Sequence, residues 1–218
     1  MKQLHELVDL DEPGWLLVQQ WLAKATNAVE VLPPPHDARR ERALLDTQVT
    51  TRSPMGAVIY ESGGILVDHG WLRVLGSGHP RLPRSLPAWN LTRTMIEEEQ
   101  PPPFLLVADD VVGGFFAIDG GGLGFGRGEV CYFAPDILEW ECTEMSYSEF
   151  LVWCFEGDLA KYYENVRWPG WQEQVREIQG DEAFGIYPFL WCEGPPIADR
   201  MRQTIPIAES YALHFVAS

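Results

Sequence analysis

Two histidines and an aspartate in the first half of the chain are the residues whose types best suit catalysis. Asp68 and His69 are adjacent, and His79 lies in the next turn. A histidine oriented by a carboxylate can act as a general base, as in a small-molecule hydrolase. The sequence shows no nucleophile or third partner that completes such a site, so ordinary hydrogen-bonded turn histidines are the favoured interpretation.

Carboxylates form a second group that could do chemistry. Residues 109–158 contain 11 acidic residues and one basic residue, so 10 of the 16 net negative charges lie there. Paired carboxylates can serve acid–base catalysis or hold a metal ion, but adjacent strand residues point to opposite faces and would not converge. A concentrated negative field instead speeds association with a basic protein. We therefore predict a binding surface formed by Asp109, Asp110, Asp119, Glu139, Glu141 and Glu144.

The glycine-rich segment 120–128 and the four cysteines suggest no cofactor. The glycines are not followed by the Lys-Ser/Thr of a phosphate-binding loop, and a strand rather than a helix is expected after them. A hairpin loop is the better interpretation. The cysteines show no Cys-x-x-Cys spacing, so we predict free thiols, no metal site and a cytoplasmic location.

The overall charge restricts the partners. The 218 residues carry a net charge of −16, and binding of nucleic acid or an anionic membrane requires clustered Lys and Arg. No apolar run of about 20 residues predicts a membrane span, and no signal peptide is recognised. We expect neither nucleic acid nor a membrane as partner, and a basic protein fits best, although an acidic surface also serves solubility alone.

The elements that must position these residues are short strands and amphipathic helices. Ser146 and Glu149 have the spacing of a capping box, with helical spacing of apolar residues after them. A helix capped by Asp11 is expected over residues 15–25, and aromatic residues 184–191 are expected to cover one sheet face. Further helices are predicted at 3–9, 36–47, 86–95, 159–163 and 173–178, and strands at 56–60, 65–67, 72–75, 104–107, 115–118, 129–133 and 137–142.

One stretch resembles a known superfamily. A strand, a glycine turn, two further strands, a tryptophan and a Ser-x-x-Glu-Phe-Leu helix follow in that order. The residues are Gly113-Gly114, Phe115-Phe116-Ala117-Ile118, Gly128-Glu129-Val130, Trp140 and Phe150-Leu151. This order resembles the SUKH superfamily. The resemblance implies a protein-binding role, and many members are immunity proteins that neutralise bacterial toxins. The whole chain also resembles a bacterial family of unknown function.

Together these patterns predict one domain over residues 1–218, of α+β class, with an N-terminal helical extension. Its sheet is mostly antiparallel, because hairpin-type turns do not permit parallel crossovers, and N-terminal and C-terminal helices pack on it. We predict a non-catalytic protein-binding module, an immunity protein against a basic toxin if the resemblance holds. A small-molecule hydrolase using Asp68 and His69, or the sheet carboxylates, is the alternative.

Overall fold

The computed structural model describes residues 1–91, 93–94 and 102–215. Its α-helices are Leu4–Leu7 (α1), Trp15–Leu22 (α2), Asp37–Thr47 (α3), Pro54–Glu61 (α4), Leu86–Leu91 (α5), Tyr147–Glu156 (α6), Leu159–Tyr162 (α7), Trp171–Glu177 (α8) and Ile207–Phe215 (α9). Its strands are Val29–Leu32 (β1), Gly64–Val67 (β2), Leu72–Leu75 (β3), Phe104–Asp110 (β4), Phe115–Asp119 (β5), Glu129–Ala134 (β6), Glu139–Ser146 (β7), Glu182–Tyr187 (β8) and Met201–Pro206 (β9).

The first seven strands form one sheet in the order β1-β2-β3-β4-β5-β6-β7. Every neighbouring pair is antiparallel, and β8 and β9 form a separate antiparallel hairpin. The α+β prediction with an antiparallel sheet is therefore confirmed. Among the described helices none is long and apolar enough to cross a membrane.

Helices cover both faces of the sheet. Alternate residues of a strand point to opposite faces, and the pair Phe115–Phe133 lies on one face while Phe116–Tyr132 lies on the other. On the first face Phe133 lies 4.5 Å from the ring of Phe215 in α9, between centroids. On the second, the ring of Phe116 lies 4.9 Å from that of Phe150 in α6. Burial of these aromatic faces supplies the main driving force for docking the helices.

Two N-terminal caps show which local signals operate. Ser146 and Glu149 form the predicted capping box at the start of α6. Residues 56–60, predicted as a strand, lie in α4 instead, so that prediction was wrong. The side chain of Ser53 accepts a hydrogen bond from the Gly56 N–H, and Pro54 occupies the first helical turn. The apolar composition of this segment suits a strand as well as a helix, and the Ser-Pro pair at its start favours the helix.

Other boundaries also differ from the predictions. Asp11 does not cap α2, which begins after Gly14. Strand β1 and the β8–β9 hairpin were not predicted, and Phe184 lies in that hairpin rather than on the main sheet. Strand β7 begins at Glu139, after a turn in which Leu138 has a left-handed φ of 59°. The helix predicted at 86–95 is confirmed as far as Leu91. Arg93 and Thr94 lie in a turn instead, and positions 92 and 95 lie outside the described residues.

Candidate functional site

Asp109 is at the centre of a buried ion-pair network. It lies opposite Arg73 in the β3–β4 register, and its side chain is 0% exposed. The Nε of Arg73 donates to Oδ1 at 2.7 Å, and Nη1 of Arg84 donates to Oδ2 at 2.5 Å. The same arginines donate to the carbonyls of Glu182 and Gly180, so the network joins the sheet to the start of β8. Asp109 therefore does not belong to an exposed acidic face, and its predicted docking role is corrected.

Asp110 is also fully buried, but it has no arginine on its carboxylate. Oδ2 accepts a hydrogen bond from the Tyr132 hydroxyl at 2.8 Å, and Oδ1 accepts from the N–H groups of Gly114 at 2.8 Å and Val112 at 3.0 Å. Burial raises the pKa of Asp110 although these donors act in the opposite direction. The side chain holds the β4–β5 turn together, so it too is removed from the predicted docking surface.

Asp119 organises the glycine-rich loop. Its side chain accepts from the N–H groups of Gly121 (2.6 Å), Leu123 (3.1 Å) and Phe125 (3.0 Å). Burial acts to raise the pKa of Asp119, but the backbone donors outweigh it and lower the pKa. The N–H groups that a phosphate would need are thus taken by an internal carboxylate. Asp119 is 1% exposed and cannot contact a partner, so its predicted docking role is corrected.

Replacing Asp119 by alanine should therefore loosen the loop. We expect the free energy of unfolding to fall by about 2 kcal/mol at pH 7, because charge-assisted hydrogen bonds are lost. Limited trypsin digestion should cleave faster after Arg127, which the loop holds through the Gly120 carbonyl at 2.9 Å. Urea denaturation and a digestion time course measure both effects.

The pH dependence of the Asp119 effect follows from the lowered pKa. The carboxylate stabilises the fold above its unfolded pKa, and that contribution disappears as the pH falls through the lower folded pKa. The difference between wild type and Asp119→Ala should therefore vanish in acid. Asp136→Ala, at an exposed position of the β6–β7 turn, is the matched control. Equal digestion of Asp119→Ala and Asp136→Ala would contradict the role given to Asp119.

The remaining three predicted acids are exposed on β7. Glu139, Glu141 and Glu144 all project from this strand, which pairs with β6 and forms one edge of the sheet. We call these three residues the β7 acidic face. Glu144 lies in an irregular segment, with a φ of 58°, where the register shifts opposite Val130 and Cys131. Their part in docking stays a prediction.

An aromatic cavity of about 330 Å³ adjoins the β7 acidic face. Glu141 lines it together with Tyr132, Trp153 and Tyr162. The rings of Trp153 and Tyr162 meet edge to face, with centroids 4.8 Å apart. Burial raises the pKa of Tyr162 above its usual range, and the nearby carboxylates of Asp110, Glu141 and Asp136 raise it further. The cavity thus combines aromatic faces with a negative field.

The catalytic candidates do not meet. The Asp68 carboxylate accepts from Nη2 of Arg167 at 2.5 Å, and Nδ1 of His69 contacts Nη2 of Arg176 at 3.0 Å. His79 accepts the backbone N–H of Arg81 on its own Nδ1, at 3.1 Å. No Asp–His hydrogen bond and no nucleophile–histidine bond occurs between these residues in the described part of the chain. The contacts give the hydrolase alternative no support.

Sequence reasoning missed the arginines that dominate these contacts. Arg73 interrupts the apolar strand Leu72–Leu75, and an arginine in such a strand is a signal for a buried ion pair. Its partner is 36 residues away, so the pairing required knowledge of the strand register. All four cysteines are free thiols, and within the described residues no group of three His, Cys, Asp or Glu side chains could hold a metal ion.

Comparisons with known proteins identify the family. A family model described as "Protein of unknown function DUF2625" matches residues 4–210. The uncharacterized protein YbfG of Escherichia coli is 46% identical over 215 residues, which cover 99% of this chain and 96% of the relative. An uncharacterized protein of Haemophilus influenzae is 39% identical over 216 residues, which cover 99% and 94%. No solved structure matches. The chain therefore belongs to the DUF2625 family.

Proposed function

We propose that the protein is a non-catalytic binding module that docks a basic protein on the β7 acidic face. The observation that carries this proposal is the position of three exposed carboxylates on an edge strand beside an aromatic cavity. Exposed carboxylates attract a basic partner over long range and raise its association rate. The edge position leaves them accessible from the side of the sheet as well as from its face.

The aromatic cavity explains how a partner would be held after it arrives. A lysine or arginine side chain that enters the cavity would contact the aromatic rings lining it, while Glu141 supplies a carboxylate. Cation–π attraction and an ion pair then act on the same charge. A second cavity of about 410 Å³ lies beside Trp153 and is lined by Glu149 and Glu156. Acidic side chains therefore flank this tryptophan on two sides.

The SUKH resemblance extends the proposal to the kind of partner. It supports an immunity protein that neutralises a bacterial toxin in the cytoplasm. Nuclease toxins must hold a polyanionic substrate, so many are basic, and an acidic antagonist matches them in charge. The net charge of −16 agrees with such a role.

The test removes the three charges together. In the triple variant Glu139→Gln, Glu141→Gln, Glu144→Gln we expect the affinity for the captured basic partner to fall at least about tenfold, since each rim charge contributes about 0.5 kcal/mol. The partner would be captured from an extract of the source organism at low salt, purified, and titrated by calorimetry at low and high salt. The salt dependence of binding should become weaker in the variant.

A control triple variant removes the same charge elsewhere. Glu177→Gln, Glu193→Gln and Glu209→Gln change exposed residues that are not on β7, and the affinity should stay within about twofold of wild type. The proposal fails if no specific partner is captured at low salt, or if both triple variants bind equally well. Thermal unfolding of both variants checks that the fold is retained.

A further inference from the structure

A small pocket with cationic lining lies far from β7. It has a volume of about 160 Å³ and is bordered by the end of β2, by β3 and by α8 with the segment after it. Its polar side chains are His69, Arg73, Arg81, Arg176 and Gln179, and no carboxylate lines it. Such a lining contrasts with a chain that carries twice as many acidic as basic residues, 32 against 16.

We propose that this pocket binds the phosphoryl group of a small phosphorylated molecule or inorganic phosphate itself. The donors come from separate elements: His69 from the turn after β2, Arg81 from the segment between β3 and α5, and Arg176 from α8, while Arg73 on β3 forms the buried floor. A carboxylate has two oxygens in one plane, whereas a phosphate presents three or four oxygens in a tetrahedron and can accept from several directions. The size of the pocket also suits a compact anion.

Several donors in the pocket are free for a ligand. Arg176 contacts His69 through Nη2 and makes no ion pair with a carboxylate in the described part of the chain. Because a guanidinium can only donate, Nδ1 of His69 accepts and the ring proton lies on Nε2. Arg81 uses Nη1 for Glu30 at 2.5 Å, which leaves Nε and Nη2 available.

The buried floor of the pocket is an arginine–carboxylate network. Arg73 and Arg84 share one ion-paired carboxylate, that of Asp109. Asp110 lies close as well and attracts Arg73. Its carboxylate accepts hydrogen bonds from Tyr132 and from backbone N–H groups, so it attracts Arg73 without contacting the guanidinium. The positive charge that an anion would meet at the mouth of the pocket therefore comes from the exposed Arg81 and Arg176.

The backbone holds His69 at the rim. Asp68, His69 and Gly70 have φ values of 50°, 63° and 95°, so two non-glycine residues in succession adopt the left-handed conformation. The ion pair of Asp68 with Arg167 fixes this turn. Strained backbone of this kind is retained where the surroundings enforce it, and it occurs often at ligand sites. The pocket is independent of the docking proposal, because four strand spacings, roughly 19 Å, separate β3 from β7.

To test the proposal, the purified full chain is titrated with inorganic phosphate and with O-phosphoethanolamine. Binding is measured by calorimetry and by the shift in the thermal unfolding midpoint, and sodium chloride at matched ionic strength is the control. We expect saturable binding of at least one phosphate compound. Tighter binding of O-phosphoethanolamine would assign a phosphate monoester, and tighter binding of inorganic phosphate would assign the free ion. No saturable binding of either at up to about 20 mM, an affinity limit near 2 kcal/mol, would overturn the proposal.

Variants decide whether the pocket is the site. Arg176→Gln and Arg81→Gln each remove an exposed guanidinium, and each should weaken phosphate binding about tenfold, the value of one charge-assisted hydrogen bond. Arg39→Gln, at an exposed position on α3 outside the pocket, should change it less than about twofold. Unchanged binding in the Arg81→Gln, Arg176→Gln double variant would overturn the assignment to this pocket, and unchanged thermal midpoints without phosphate show that the variants fold.

Discussion

Asp109→Asn is expected to lower the free energy of unfolding by about 3–5 kcal/mol, the typical effect of removing one partner from a buried ion pair. The asparagine has the shape of the aspartate but not its charge. Arg73 is 1% exposed and Arg84 9%, so two guanidinium groups would remain buried without a counter-charge in contact. Denaturation by urea, followed through tryptophan fluorescence, measures the loss.

Asp110→Asn is the matched control, because Asp110 is adjacent to Asp109, has the same side chain and is equally buried. Its amide keeps Oδ1 as acceptor for the N–H groups of Val112 and Gly114, and the new NH₂ can donate to the Tyr132 hydroxyl oxygen. We expect a loss below about 1.5 kcal/mol at pH 7, since the contact with Tyr132 can be kept with its direction reversed and no guanidinium loses a carboxylate in contact. Losses of equal size at the two positions would contradict the distinction between a carboxylate paired with two arginines and one held by a hydroxyl and backbone N–H groups.

The pH dependence of this control has a defined sign. Burial raises the pKa of Asp110, so the folded state holds the proton more tightly than the unfolded state. Its contribution to stability is present below the unfolded pKa and is lost as the pH rises through the folded pKa. The free energy of unfolding of Asp110→Asn should therefore increase relative to wild type between pH 4 and pH 7. Taking the difference between the two proteins cancels the other acidic groups.

The same two residues show why part of the predicted acidic surface was placed wrongly. A count of charges over residues 109–158 describes a negative segment, but it does not say which carboxylates face water. Asp109 and Asp110 directly follow the apolar run from Phe104, and both carboxylates are buried and hydrogen-bonded. The donors to Asp109 are the distant Arg73 and Arg84. Asp110 accepts from the nearby Val112 and Gly114 and from the distant Tyr132. Glu139 and Glu141 alternate with Trp140 and Cys142, and that period of two correctly predicts exposed carboxylates on an edge strand.

Signals confined to a few residues were the ones that predicted structure well. The capping box at Ser146 is complete within four residues, and the hairpins of β4, β5 and β6 are set by their glycine turns. Strand β1 pairs with β2 across the two helices α3 and α4. The β8 and β9 strands are joined by a segment longer than ordinary hairpin loops. No local sequence pattern indicates strand pairing over such distances, so neither strand β1 nor the β8–β9 hairpin was predicted.

The cationic pocket was missed for a related reason. Its arginines stand at positions 73, 81 and 176, on elements that the fold brings together. In the sequence the three are far apart, and for Arg81 and Arg176 a solvated side chain is the ordinary interpretation. His69 was recognised as a candidate, but for catalysis with Asp68. The structure shows that its neighbours are guanidinium groups, which suit recognition of an anion rather than proton transfer.

The side chain of Asn90 makes hydrogen bonds to β4 that a neighbouring strand backbone would normally make. It lies in α5 and is 0% exposed. Strand β3 ends at Leu75 and pairs with β4 only at Asp110, Asp109 and Ala108. The Asn90 amide takes over beyond that point: Nδ2 donates to the Leu106 carbonyl, and Oδ1 accepts the Leu106 N–H, both at 2.8 Å. The side chain therefore continues the hydrogen bonding of the sheet into the helix.

Two further hydrogen bonds satisfy the remaining donor and acceptor positions of the Asn90 amide. Nδ2 also donates to the Leu86 carbonyl at 2.9 Å, and Oδ1 accepts from the Thr94 hydroxyl at 2.9 Å. Both N–H donors are used, and the oxygen accepts twice, so the group has no unsatisfied hydrogen. A substitution that keeps the shape but removes the donors tests this arrangement without leaving a cavity.

Asn90→Asp should consequently lower the free energy of unfolding by at least about 3 kcal/mol at pH 8, because an ionised oxygen would face two buried carbonyls. The introduced carboxyl favours its protonated form in this site, so its folded pKa exceeds its unfolded pKa, and the loss should be smaller at pH 5 than at pH 8. Asn165→Asp, at an exposed position, is the control and should change the free energy by less than about 0.5 kcal/mol. Urea denaturation at the two pH values measures the effect. A loss at pH 8 no larger than that of Asn165→Asp would show that the amide does not replace backbone pairing at the end of β3.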